Sequence, residues 1–226
     1  MPVNDRPGLD DVLAAQKTLT GVSRVTALEG SRHLSRLVGA PVHLKCENLQ
    51  RTGSFKIRGA YTRVAGLSAP ERERGVVAAS AGNHAQGVAL AAALLGVRAT
   101  VFMPAGAPLP KVAATRDYGA EVRLHGQVVD ETLAAAQEFA ATTGAVLIHP
   151  FDHPDVVAGQ GTLGLEILEQ CPEVRTIVVP PGAGGVGARS GRLRARPSRR
   201  RRHRRWPCAV PGPPARRSFS GACSWT

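Results

Sequence analysis

A single lysine, Lys56, stands where a predicted helix begins, beside small residues and one aromatic, Phe55. A lysine that forms a Schiff base must lose its proton, so it needs a partly desolvated and ordered setting. Only four of the 29 basic residues are lysines, so a lysine retained here, where arginine would supply charge, favours amine chemistry. The alternative is a solvated lysine at a helix terminus, and this segment alone does not separate the two interpretations.

A second informative feature is a turn of small residues between a predicted strand and a predicted helix. Residues 75–80 read as a buried strand and residues 83–95 as a helix, with Ala81 and Gly82 between them. Free backbone N–H groups and the helix dipole make such a turn an anion site, to which Ser80 and Asn83 add polar side chains. Turns of this kind also serve as plain connections in α/β proteins.

A glycine-rich loop follows a predicted strand at 175–180 and contains Gly182, Ala183, Gly184 and Gly185. Its backbone N–H groups could wrap a phosphate. It lacks the Gly-Lys-Ser/Thr ending of a P-loop and the acidic residue that follows a dinucleotide-binding motif. A reactive lysine, an anion turn and a phosphate loop in one chain support one another.

The amino-acid sequences of these segments resemble those of a known family. The stretches at 47–60 and 80–87, which read ENLQRTGSFKIRGA and SAGNHAQG, closely resemble threonine dehydratases (threonine ammonia-lyases). These are fold type II, tryptophan-synthase-β-like pyridoxal-phosphate enzymes. The stretches at 103–112 and 159–167 are similar to the same family, and the resemblance runs from about residue 14 to 188.

The resemblance implies a role for each matching cofactor residue. Lys56 matches the lysine that holds pyridoxal 5'-phosphate as a Schiff base and then moves the substrate's α-proton. Phe55 would pack on the pyridine ring, or simply fill the core, and Asn83 would hydrogen-bond the cofactor's 3-hydroxyl oxygen. The phosphate loop would comprise Gly182, Ala183, Gly184 and Gly185, with Ala183 where the family usually has glycine. An added methyl group there would hinder close backbone approach.

The resemblance also implies how the substrate is held. Its carboxylate would be gripped by the loop of Ser80, Ala81, Gly82, Asn83 and His84, although His84 could instead be only a helix-start residue. The expected reaction eliminates water and then ammonia from L-threonine, and also from L-serine, to give 2-oxobutanoate or pyruvate. The alternative is a serine racemase or another β-eliminating enzyme of the class. Racemases place an acid/base serine where this chain has Ala81, which cannot transfer a proton.

The positive charge of +12 is confined to the last 38 residues. Residues 189–226 contain twelve arginines and no lysine or acidic residue, so residues 1–188 carry 17 basic and 17 acidic residues. A basic arm for nucleic acid is the remote alternative. We favour instead an Arg/Pro-rich tail that is disordered by composition or translated out of frame. The family's second half has no counterpart there, so the chain is expected to be incomplete after the glycine loop and inactive by truncation.

The order of strands and helices predicts an α/β fold of open parallel sheets flanked by helices, in the two-subdomain arrangement of fold type II enzymes. Residues 1–188 would be the N-terminal portion of a catalytic domain, with a smaller subdomain within about 54–150. Strands are predicted at 41–45, 75–80, 98–103, 121–124, 145–149 and 175–180. Helices are predicted at 8–20, 54–65, 83–95, 109–118, 129–142 and 157–170.

Four dispersed cysteines without a Cys-x-x-Cys pair, and histidines without metal-ligand spacing, favour a reducing cytoplasm and no metal site. No apolar run is long enough to span a bilayer. The expected partner is therefore a small amino-acid substrate, with no membrane or nucleic acid. A family-type homo-oligomer is expected only for a complete fold.

Overall fold

The computed structural model describes residues 7–179. In chain order they form helix α1 (Leu9–Thr18), strand β1 (Leu28–Gly30), α2 (Arg32–Val38), β2 (His43–Lys45), α3 (Lys56–Ala65), α4 (Ala69–Arg74), β3 (Val76–Ala79), α5 (Asn83–Leu94), β4 (Ala99–Met103), α6 (Leu109–Asp117), β5 (Glu121–Leu124), α7 (Val129–Thr143), β6 (Val146–Leu147) and α8 (Pro154–Gln170). All of them belong to one unit of the fold, Met1–Gly191.

Four parallel strands form the main sheet, in the spatial order β5-β4-β3-β6. The chain runs outward from β3 through β4 to β5 and then returns to place β6 on the other side of β3. Such a reversal of strand order opens a crevice at the carboxyl ends of the strands, where α/β proteins bind ligands. The loops after β3 and β6 meet at this point.

Side chains alternate between the two faces of the sheet, as strand geometry requires. Val76 and Ala78 face one core cluster, which also contains residues of α3 and α5, whereas Val77 and Ala79 face a second cluster. The second cluster includes Ala136 of α7. Helices therefore cover both faces, and the buried residues of β3 and β4 are apolar apart from Thr100 because water reaches neither face.

Most of the predicted elements are confirmed. The α/β fold, the parallel sheet and its flanking helices are as expected, with boundaries within about three residues. The sheet lies between Val76 and Leu147, inside the predicted subdomain of 54–150. The subdomain division itself, and the boundary at 188/189, which lies outside the described residues, remain predictions.

The predicted strand at 175–180 is wrong over 175–179, where the backbone forms no ladder with any described strand. A strand exists only when a partner pairs with it, and an apolar run does not reveal that partner. Val178 is accordingly exposed. The antiparallel pairing of β1 with β2 and the short helices α2 and α4 were not predicted from the sequence.

Within residues 7–179, no helix is both long enough and apolar enough to cross a membrane. The same part of the chain contains no group of three or more His, Cys, Asp or Glu side chains suited to holding a metal ion.

Candidate active site

A strained turn leads the chain into α3. Thr52 has a φ of 64° and a ψ of 12°, and Gly53 follows with a φ of 69°. The left-handed conformation costs a non-glycine residue about 1–2 kcal/mol. The turn is stabilised where Gly53 N donates to the Gln50 carbonyl, and beyond it Lys56 N donates to Ser54 Oγ at 3.4 Å. Lys56 thereby becomes the first residue of α3, two residues after the predicted helix start at 54.

The Lys56 amine lies against the loop that follows β6. Its Nζ donates to the Pro150 carbonyl oxygen at 2.8 Å and stands 5.2 Å from the centre of the Phe55 ring. Burial lowers the pKa of Lys56 from 10.5 to about 8, because removing the ammonium from water disfavours its charged form. A lysine with such a pKa is partly neutral near pH 8, as a nucleophile or base requires.

The turn between β3 and α5 is the second half of the site. Ser80 N continues the sheet ladder to the Phe102 carbonyl, and Ser80 Oγ accepts a hydrogen bond from Gly82 N at 3.1 Å. The Ser80 hydroxyl proton can still be donated. No atom lies within 4 Å of the position that a Cβ on Gly82 would occupy, so space beside the turn is open. Ala81 and Gly82 are both half-buried.

Helix α5 begins at Asn83 without a side-chain cap. Its first N–H groups therefore lack capping partners at the positive end of the helix dipole. The exposed Asn83 side chain accepts a hydrogen bond at Oδ1 from Lys111 Nζ at 2.8 Å. The structure therefore places an uncapped helix start at the predicted anion turn, and the binding of an anion there remains a prediction.

The His84 side chain points into the interior. It is 4% exposed, and its Nε2 lies 2.8 Å from the Ile148 carbonyl oxygen, to which it must donate. Burial lowers the pKa of His84 from 6.5 to about 4, with Lys56 and His149 contributing in the same direction. The imidazole is therefore neutral, and the side chain links the start of α5 to the loop after β6. In this position, the His84 backbone is the part that could serve the predicted carboxylate loop.

A glycine lets α5 approach the start of α3. A Cβ on Gly87 would lie 3.1 Å from the carbonyl carbon of Lys56 and 3.3 Å from Ile57 N. These distances are tighter than ordinary van der Waals contact, so any larger side chain would separate the two helices. Gly87 therefore sets how closely the anion turn and the Lys56 amine can be brought together.

The helices that begin around the site lack acidic residues in their first turns. This holds for α3, α5 and α6, and also for the short helix α2, whereas α1, α4, α7 and α8 each carry one or two carboxylates there. Acidic residues normally stabilise a helix start. Their absence from all three helices leaves the positive helix ends available to an anionic ligand.

Behind the site lies a buried ionic network that the sequence analysis missed. Arg58, fully buried, donates to Glu47 at 2.9 and 3.0 Å and to Glu166 at 2.7 and 3.0 Å. Burial alone would lower the pKa of Arg58, but the hydrogen bonds and charges of the two carboxylates raise it overall. Lys45 Nζ lies 2.7 Å from Glu166 Oε2, so two cations balance two anions.

This network explains why charged side chains can be buried in these motifs. Glu47, Arg58 and Glu166 lie in stretches that were recognised only by their resemblance to a family. The feature that could have revealed the network is a charged residue at a position that is buried in the fold. Such charges remain buried only when they are paired and hydrogen-bonded.

The predicted phosphate loop of Gly182, Ala183, Gly184 and Gly185 lies outside the described residues. Its role, and the consequence of Ala183, remain predictions. The structure places Lys56 at the start of α3, with Phe55 just before it, and packs this segment against α5. The first residues of α5, Asn83 and His84, follow the turn of Ser80, Ala81 and Gly82.

Comparison with known proteins identifies the family to which this sequence is similar. A model of the family described as "Pyridoxal-phosphate dependent enzyme" matches residues 19–189. The chain is 57% identical to an L-threonine ammonia-lyase of Thermotoga maritima over 178 residues, which cover 79% of this chain and 44% of that protein.

Solved structures share the fold. A T.th. threonine deaminase superposes with a TM-score of 0.67 at 47% identity, covering 74% of this chain and 52% of that one. Maize serine racemase superposes with a TM-score of 0.76 at 37% identity, covering 80% and 55%. The chain spans about half the length of these relatives.

Proposed function

Because the chain belongs to the family of pyridoxal-phosphate-dependent enzymes, we propose that it is an ammonia-lyase acting on L-threonine and also on L-serine. The products would be 2-oxobutanoate or pyruvate, with ammonia. The names of the Thermotoga maritima and T.th. relatives support this reaction.

The observation that carries the proposal is the setting of the Lys56 amine. Burial lowers its pKa to about 8, and it lies beside the start of α5, a helix with no acidic residue in its first turn. A depressed lysine pKa raises the neutral fraction of the amine near neutral pH, and only the neutral amine can attack an aldehyde carbonyl or accept a proton at Nζ. The Pro150 carbonyl, at 2.8 Å, orients the amine.

The residues present fit pyridoxal phosphate, an aldehyde that carries an anionic phosphate and a ring oxygen. Lys56 would bind its aldehyde carbon, Phe55 would contact its ring and Asn83 would donate to its ring oxygen. When bound, the cofactor supplies an electron sink for the substrate's α-carbon. The N–H groups at the start of α5, with Ser80, would bind the substrate carboxylate.

Serine racemase activity is the second candidate, favoured by the structural likeness to the maize enzyme. Residue 81 argues against it, because alanine supplies no group that could return a proton to the opposite face of the α-carbon. Formation of D-serine from L-serine would establish the racemase function instead. Nucleic-acid binding through residues 189–226 remains a remote prediction, since those residues lie outside the described part.

We further propose a cytoplasmic location and, for a complete fold, a homo-oligomer. The four dispersed cysteines, without a Cys-x-x-Cys pair, suit a reducing compartment.

The test uses the 226-residue chain with pyridoxal phosphate and borohydride, which makes a lysine adduct permanent for mass spectrometry. We expect the adduct at Lys56, forming with a midpoint near pH 8 because the neutral amine is the reactive form. Lys56→Ala should abolish the adduct, and it should lower by about 10²–10⁴-fold whatever threonine deamination this chain retains.

Lys17→Ala is the matched control, since it removes an exposed lysine on α1 and should change neither result. Adducts distributed equally over the four lysines, or an unchanged adduct in Lys56→Ala, would contradict the proposal.

A further inference from the structure

Lys111 is the one lysine near the site to which the sequence analysis gave no role. It is the third residue of α6, and its Nζ donates to Asn83 Oδ1 across the gap between α6 and α5 at 2.8 Å. The Lys111 backbone is held on both sides: its N–H donates to the Pro108 carbonyl, and its carbonyl accepts from the buried Thr115 hydroxyl at 2.7 Å.

The position is an unfavourable one for a cation. Lysine in the first turn of a helix is repelled by the positive end of the helix dipole, and no acidic residue in that turn of α6 compensates it. Most basic residues of this chain are arginines, yet a lysine occupies this position. The stability of α6 therefore does not explain a lysine at position 111, whereas the hydrogen bond to Asn83 gives this lysine a structural role.

That contact determines which end of the Asn83 amide faces the site. An ammonium group can only donate hydrogen bonds, so the amide atom that faces Lys111 must be the oxygen. The amide nitrogen, Nδ2, is then directed away from Lys111 with two N–H donors. Without Lys111, either end of an exposed asparagine amide could face the ligand.

We propose that Lys111 is a positioning residue that fixes the Asn83 amide so that Nδ2 donates to the ring oxygen of bound pyridoxal phosphate. The inference rests on the proposed function, because it names the ligand of the same site. Three features there favour an anionic oxygen: the donating amide, the uncapped start of α5 and a first turn free of carboxylates. Lys111 also adds a cation beside Asn83.

The experiment measures the dissociation constant of pyridoxal phosphate for the 226-residue chain from the absorbance of the bound cofactor. Lys111→Met keeps the length of the side chain but removes the donor, and should weaken binding about tenfold, the size of one hydrogen bond. Lys111→Arg keeps a donor and a charge and should restore most of the affinity. The matched control is Arg116→Met, which removes an exposed cation from the same helix.

A double-mutant cycle separates positioning from a direct role. If Lys111 acts through Asn83, Lys111→Met should cost less than about twofold in an Asn83→Ala background. An unchanged tenfold loss in that background would overturn the proposal, as would wild-type affinity in Lys111→Met.

A readout without cofactor keeps this inference distinct from the proposed function. The side-chain amide resonances of Asn83 in ¹⁵N-labelled protein should shift in Lys111→Met and stay in place in Arg116→Met. Unchanged resonances in Lys111→Met would overturn the contact. If the contact is present but no adduct forms at Lys56, the proposed function fails, and with it the assignment of the ligand to Asn83.

Discussion

At the scale of the residue, burial acts on two nitrogen-bearing side chains of the site with different results. Lys56 is half-buried with a pKa lowered to about 8, so its amine changes charge within a usable pH range. His84 is almost completely buried, and its pKa of about 4 keeps it neutral at any ordinary pH. Lys56 is therefore suited to chemistry, and His84 is suited to holding the loop after β6.

His84 makes stability dependent on pH. Its pKa is about 4 in the folded protein and 6.5 ordinarily, so between these values the unfolded chain binds a proton that the folded protein does not. Its contribution to the free energy of unfolding is complete above pH 6.5 and is lost as the pH falls towards 4.

We expect His84→Gln, which can still donate to the Ile148 carbonyl but does not titrate, to flatten this part of the pH dependence. His84→Leu should cost about 1–3 kcal/mol at pH 7.5, because it leaves a buried carbonyl without a partner. Urea unfolding at a series of pH values measures both. Parallel curves for the wild type and His84→Gln would contradict the prediction.

At the scale of the element, close contact between helices positions the site. A Cβ on Gly159 of α8 would lie 2.5 Å from the Arg58 carbonyl oxygen, and one on Gly59 of α3 would lie 2.8 Å from the Val156 carbonyl oxygen. Together with Gly87 on α5, these glycines bring α5 and α8 against α3 at backbone contact. The position of α3, and so of Lys56, depends on these contacts.

Gly87→Ala should destabilise the protein by about 1–3 kcal/mol, because the added methyl group meets the Lys56 backbone rather than a flexible side chain. It should also move the pH midpoint of the Lys56 adduct, since it displaces the start of α3. Gly164→Ala on α8 is the control: nothing lies within 4 Å of its added Cβ, so a gain of about 0.5–1 kcal/mol is expected. Chemical denaturation distinguishes the two, and equal effects would refute the argument.

At the scale of the whole described unit, the ionic network joins segments far apart in the chain. Thr26 and Lys45 come from the N-terminal segment around β1 and β2, Arg58 from α3 and Glu166 from α8. Glu166 forms ion pairs with both Arg58 and Lys45, so removing its charge should destabilise the network most.

Glu166→Gln should lower the free energy of unfolding by about 3–5 kcal/mol, because it leaves two buried cations with one carboxylate. Glu121→Gln breaks the exposed pair with Arg123, at 2.7 Å, and should cost at most about 1 kcal/mol. Thermal or urea unfolding of both variants measures the contrast. A loss at Glu166 no larger than at Glu121 would show that the network does not stabilise the fold.

Much of the fold followed from local patterns along the chain. The apolar run at 75–80, the glycines at helix ends and the alternation of strands with helices predict β3, α5, β4, α6, β5 and α7, because these features act over a few residues. The turn of Ser80 to Asn83 and the place of Lys56 at a helix start were predicted for the same reason. The strand at 175–179 failed because pairing requires a second segment.

The sequence alone predicted most of the elements, proposed Lys56 for amine chemistry and proposed the turn before α5 as an anion site. Only the tertiary structure decided that Lys56 meets the Pro150 carbonyl 94 positions away, that His84 meets Ile148 and that Lys111 meets Asn83. Periodicity records which backbone conformation a segment prefers. Contacts between distant segments depend instead on how closely whole helices pack. A glycine such as Gly87 allows close packing, but its effect appears only when α5 and α3 lie against each other in the folded protein.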